Sequence, residues 1–157
     1  MGSRQREERH GPIDGLAVSG SQVPAGREVS VDLVLEAVHG GVMATGAVRA
    51  PWVAECRRCL GVARGEVEAQ VRELFEPDPH QPVEDDTYPL TGDQLDLQPL
   101  ARDAVLLELP LAPLCTEGCL GLCPTCGANL NQGRCACPAA GGDPRWGALD
   151  VLRGQGD

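Results

Sequence analysis

The chain predicts an α+β fold, an antiparallel β meander packed with one or two helices and followed by a small cysteine-rich segment. Three observations carry this. Apolar and polar residues alternate in three stretches between Val29 and Phe75. A helical periodicity stands between Asp96 and Pro110. Six of the eight cysteines fall between Cys115 and Cys137.

Residues 1–12 are charged and lack apolar spacing, so they read as a disordered tail. Residues 13–75 form the β-rich half. In the first strand Val29, Val31, Leu33, Leu35 and Ala37 share one face, and His39-Gly40-Gly41 supplies the turn. The return strand places Val42, Ala44, Gly46, Val48 and Ala50 in register, and Pro51 is expected to interrupt or bulge it. Val67, Ala69 and Val71 lead to Leu74 and Phe75 in a third strand, with Cys56-Arg57-Arg58-Cys59 at the connection.

Residues 76–93 hold four prolines among clustered acids, a composition that reads as a linker or mobile loop. A helix over about 97–109, N-capped by Asp96 and stopped by Pro110, completes the core in residues 94–113. Residues 114–153 contain the remaining cysteines and a last short helix, with Asp143 as N-cap and Pro144 in its first turn. Trp146, Leu149 and Leu152 there give one apolar face, expected to dock on the domain itself, with a partner surface as the alternative.

Only four residues are aromatic, so Val, Leu and Ala must fill the core. In so lean a core, a bound metal would contribute substantially to folding. The formal charge is −10. Nine acids balance nine arginines in residues 1–72, whereas eight acids and no base lie between Arg72 and Arg102. Such a charge opposes a large nucleic-acid interface and favours a basic partner. The N-terminus has no secretory apolar core, and no stretch suits a bilayer, so a cytoplasmic protein without membrane contact is expected. There paired cysteines more often hold metal than form disulfides.

Gly121-Leu122-Cys123-Pro124-Thr125-Cys126-Gly127 has the form of a zinc knuckle, in which a tight turn aims N–H groups at two sulfurs. The fold class is therefore completed by a zinc-ribbon-like C-terminal segment with structural zinc. Spacing favours the ligand set Cys123, Cys126, Cys135 and Cys137 over Cys115, Cys119, Cys123 and Cys126. A mixed set or two sites remain open. Cys56 and Cys59 form a second thiol pair, with a structural or half-metal role ahead of packing and redox exchange. All-cysteine sites leave no coordination position for water, and the chain lacks hydrolase, P-loop and metalloprotease motifs. An enzyme is not expected.

Four segments together resemble the YceD family, the large ribosomal RNA subunit accumulation proteins. They are Glu55-Cys56-Arg57-Arg58-Cys59-Leu60, residues Arg102 to Leu111, residues Gly121 to Asn131, and Asp143-Pro144-Arg145-Trp146-Gly147-Ala148-Leu149. The resemblance implies a non-enzymatic role in accumulation or maturation of large-subunit (23S) rRNA. With it, the acidic charge suggests binding to a ribosomal or rRNA-processing protein of the large subunit. Arg57 and Arg58, with Arg64 and Arg72, are candidates for a local contact to precursor rRNA. Competing classes are a zinc-containing nucleic-acid-binding regulatory module and a redox sensor using Cys56 and Cys59.

Overall fold

A computed structural model describes residues 3–77, 87–92, 94–138 and 144–149. Strands β1 (Arg4–Pro12), β2 (Ser21–Gln22), β3 (Glu28–Val38), β4 (Gly41–Glu55), β5 (Val62–Pro77), β6 (Tyr88–Thr91) and β7 (Gln94–Leu95) precede α1 (Leu97–Glu108). A 3-10 turn spans Pro144–Leu149. One mostly β sheet runs in the order β1-β3-β4-β5-β6-β7, and β2 pairs with the far end of β4.

The β3–β4–β5 meander has the alternation expected of it. Val38 pairs with Gly41, so His39 and Gly40 form a two-residue hairpin loop. Val29, Val31, Leu33, Ala44, Val48, Ala50, Val67, Ala69, Val71 and Phe75 build the buried face. Residues Leu100, Ala101, Ala104, Val105 and Leu109 cover it from the α1 side. Asp96 caps α1 by accepting from the Gln98 N–H at 3.0 Å. Arg102 donates to the carbonyls of Asp14 and Gly15, tying the helix to the segment after β1.

Four expectations need correction. Residues 4–12 are a strand, not a disordered tail, paired antiparallel with β3 from Arg4↔Glu36 to Pro12↔Glu28. The strand is exposed or half-buried throughout, so apolar alternation gives no sign of it; ladder hydrogen bonds and the Arg6–Asp32 ion pair at 2.8 Å hold it. The expected loop at 76–93 is strand at both described ends. β5 continues to Pro77, and β6 pairs parallel to it, with Tyr88 stacked on Phe75 at 5.3 Å and donating to Asp103 at 3.0 Å. The acidic residues 78–86 lie outside the described residues.

Pro51 neither breaks nor bulges β4, whose register with β5 is continuous from Val42↔Phe75 to Glu55↔Val62. It stands where pairing to β3 has ended at Arg49 and pairing to β2 has not begun at Val53, so no partner there needs its missing N–H. Finally, the described C-terminal residues form a 3-10 turn whose Trp146 and Leu149 are 64% and 49% exposed, so these two do not dock on the domain. Asp143 and Leu152 lie outside the described residues.

Candidate metal centres

The β4–β5 connection and the segment after Cys123 are the same local structure. In the first, the Cys56 N–H donates to the Gly61 carbonyl at 2.7 Å and the Leu60 N–H to the Cys56 carbonyl at 2.9 Å. In the second, the Cys123 N–H donates to Ala128 at 2.8 Å and the Gly127 N–H to Cys123 at 2.9 Å. Each turn needs a left-handed residue just after its second cysteine, Leu60 at φ 59° and Gly127 at φ 73°. The first knuckle is hidden from sequence reading because leucine occupies the place where glycine is usual.

Each knuckle supplies half of a four-cysteine group. Cys56 and Cys59 meet Cys115 and Cys119, and Cys123 and Cys126 meet Cys135 and Cys137, with the sulfurs of each group all within 4.8 Å. Cys56 and Cys119 sulfurs lie 3.7 Å apart, and those of Cys59 and Cys115 3.5 Å apart. A tetrahedral zinc with bonds near 2.3 Å requires sulfur separations of roughly 3.8 Å. These spacings are far beyond a disulfide bond, and all eight cysteines are free thiols. Both groups could therefore hold metal ions such as zinc.

The spacing-based set Cys123, Cys126, Cys135 and Cys137 is one of the two groups. The alternative joining Cys115 and Cys119 to Cys123 and Cys126 is not a group that the fold brings together. Cys56 and Cys59 complete the other group across more than 50 residues of chain, a pairing that no local spacing announces. Arg57 donates its N–H to the Pro113 carbonyl at 2.9 Å, and Arg58 its guanidinium to the Cys119 carbonyl at 3.0 Å. Both contacts press the Cys115–Cys119 turn onto the first knuckle.

Surroundings distinguish the centres. Cys56, Cys59 and Cys119 are buried with Ala63 in a small apolar cluster that half-buried Trp52 joins to the main core. At the second centre Cys123 is buried but Cys126 is exposed. Asn131 links the two. It donates to the Cys119 sulfur at 3.4 Å, accepts from the Leu120 N–H at 2.8 Å, and lies in the spacer of the second centre. Its sulfur partner is set by the tertiary fold and not by its place in the sequence.

Electrostatics favour a cation. The Cys59 N–H lowers Cys56 to about 6, and the Cys126 and Thr125 N–H groups lower Cys123 to about 6. Asn131 lowers Cys119 in the same way. The neighbouring thiols, Cys59 first, push Cys115 up to about 12, and Cys126 leads the groups that push Cys137 up to about 12. Four sulfurs cannot all ionise side by side without a positive ion among them.

Arg57 and Arg58 are both exposed beside the first centre. The basic face expected of Arg57, Arg58, Arg64 and Arg72 is interrupted, because Glu66 and Glu68 alternate between Arg64 and Arg72 along β5. Cys56 and Cys59 are not an isolated dithiol but half of the first four-thiol group.

Over the described residues, fold and site thus define a small mostly β protein with one α-helix and two four-thiol groups. The chain belongs to the YceD family: the profile described as "Large ribosomal RNA subunit accumulation protein YceD" matches residues 44–153. An uncharacterized protein of Mycobacterium tuberculosis (strain H37Rv) is 37% identical over 94% of this chain and 78% of its own length. An uncharacterized protein of Mycobacterium leprae is 38% identical over 67% of this chain and 50% of its own. The Arabidopsis thaliana protein named "Large ribosomal RNA subunit accumulation protein YCED homolog 1, chloroplastic" is 37% identical over 43% of this chain and 21% of its own length. No solved structure matches this chain. Among the described residues no helix is long and apolar enough to cross a membrane.

Proposed function

We propose that this protein is a non-enzymatic factor supporting accumulation or maturation of large-subunit (23S) rRNA, with zinc in both centres as a structural element. The observation that carries the non-catalytic reading is that each centre takes all four ligands from the chain, leaving no position for a substrate or an activated water. Family membership supports the process. The formal charge of −10 and the exposed side chains of Trp146 and Leu149 support binding to a basic ribosomal or rRNA-processing protein.

Depleting the protein in cells should lower the ratio of mature large- to small-subunit rRNA, and tagged protein should recover a large-subunit protein or precursor rRNA at low salt. An unchanged rRNA ratio on complete depletion would remove the reading. Catalysis is tested separately: wild-type-level complementation by variants with rearranged but zinc-replete centres is expected of a binding factor.

A further inference from the structure

Between β5 and α1 lies a cleft of about 120 Å³ with an apolar floor and an acidic rim. Buried Val71, Leu100 and Ala104 form the floor, and Glu73, Asp103 and Glu108 the rim. Alternation along β5 puts Glu73 on the same face as buried Val71 and Phe75, the face that α1 covers. On α1, Leu100, Asp103, Ala104 and Leu107 recur at helical spacing and turn toward it. Tyr88, stacked on Phe75, donates to Asp103 at 3.0 Å. Burial first, then Asp103 and the charge of Glu73, push Tyr88 up to about 12. Both carboxylates therefore act on one hydroxyl, which keeps its proton.

The chain supplies no cation to this rim. Glu73, Asp103 and Glu108 have no guanidinium within 4 Å among the described residues. There is no lysine in the sequence, and Arg102, the only arginine between Arg72 and Arg134, binds the carbonyls of Asp14 and Gly15. Arg72 adjoins Glu73 in sequence but takes the opposite face of the sheet. Leu107, on the cleft wall, is 85% exposed.

We propose that a basic protein docks on this face of α1, placing one lysine or arginine side chain in the cleft between Glu73 and Asp103. The carboxylates take the charged head, and Leu107 packs on the aliphatic stem. RNA is repelled by a rim of three acids without a base. A metal ion fits less well, because among the described residues only the two cysteine groups bring three or more ligand atoms within 4.8 Å of one another. The inference rests on the proposed binding of a basic partner and names where that partner sits.

Binding of fluorescein-labelled hexalysine to the full-length, zinc-loaded protein, read by anisotropy, tests the site. Tyr88 is the only tyrosine, so its ring resonances report on the cleft directly and should shift as the peptide binds. Glu73→Gln and Asp103→Asn should each weaken binding about three- to fivefold. Leu107→Ser, at an exposed position and with every charge retained, should weaken it about threefold. The charge-matched control Glu36→Gln/Glu66→Gln, on exposed strand positions, should change it by no more than about twofold. Zinc content and far-ultraviolet circular dichroism confirm that the variants fold. Unmoved Tyr88 resonances, a control that weakens binding as much as the Glu73→Gln/Asp103→Asn pair, or calcium chloride alone shifting Tyr88 as the peptide does would overturn the docking site. Unchanged peptide binding in the cleft variants, with large-subunit rRNA still lowered on depletion, sinks the site alone. Cleft-dependent binding with unaltered rRNA in depleted cells sinks the rRNA role alone.

Discussion

Asn131 donates one hydrogen bond to a sulfur of the first metal centre from within the loop of the second, so a single amide side chain couples them. Outer hydrogen bonds of this kind orient thiolate ligands and temper their charge. Asn131→Ala should weaken metal binding at the Cys56–Cys119 centre about 10- to 100-fold. Asn131→Asp should weaken it further, because it places an anion against thiolates. Competition with a chromophoric chelator measures both, and equal affinity in all three proteins would contradict the assignment.

The thiols give a second prediction at this scale. Cys115 and Cys137, pushed up to about 12, keep their protons across the neutral range until a metal displaces them. Metal binding must therefore release protons, and affinity must rise with pH, by up to about tenfold per unit for each such thiol. Cys56 and Cys123, at about 6, lie below the ordinary thiol value of 9.0. Their preference for the folded anion is fully present above 9.0 and is lost as pH falls through about 6. Zinc affinity should consequently fall more steeply with acidification below about pH 6, where these two thiols also take up protons in the metal-free protein, and chelator competition across that range would check it.

Among the elements, the two knuckles differ at one informative position. A Cβ at Gly127 would meet no atom within 4 Å, so Gly127→Ala tests backbone conformation alone. It should cost about 1–2 kcal/mol. Leu60→Gly removes the same strain from the first knuckle and should raise stability by up to about 1 kcal/mol. Denaturant unfolding of the zinc-loaded proteins reads both, and opposite signs are the expected result. The meander and α1 were legible because Val29 to Ala37 and Val67 to Val71 alternate and Asp96 caps a periodic run. β1 was not legible because its residues contact neither face of a core and are held by backbone pairing. β6 was obscured by Pro89, which a short strand near the sheet edge tolerates.

Across the whole molecule, the main core of β3, β4, β5 and α1 contains no cysteine, whereas the smaller cluster around Ala63 depends on three. A strong chelator should therefore release the segment from Pro113 to Pro138 and the Cys56–Gly61 turn while the meander survives. Hydrogen exchange followed by mass spectrometry would show protection lost in the first two regions and kept in β3–β5. Cys56→Ser and Cys126→Ser should each reduce zinc from about two ions to one per chain, with the greater loss of thermal stability in Cys56→Ser. The first centre joins distant parts of the chain, and the second closes a local loop.

The amino-acid sequence alone determined the meander, the capped helix, the placement of excess acid and the presence of a thiol-rich end, because periodicity, caps and composition act over a few residues. It favoured, over the set joining Cys115 and Cys119 to Cys123 and Cys126, the compact group of Cys123, Cys126, Cys135 and Cys137, whose members are close along the chain. Only the tertiary structure decided that Cys56 and Cys59 face Cys115 and Cys119, and that Asn131 reaches between the centres. Those relations arise where strands, turns and loops distant in sequence are brought together by burial of a shared core, and no local pattern encodes such a distance.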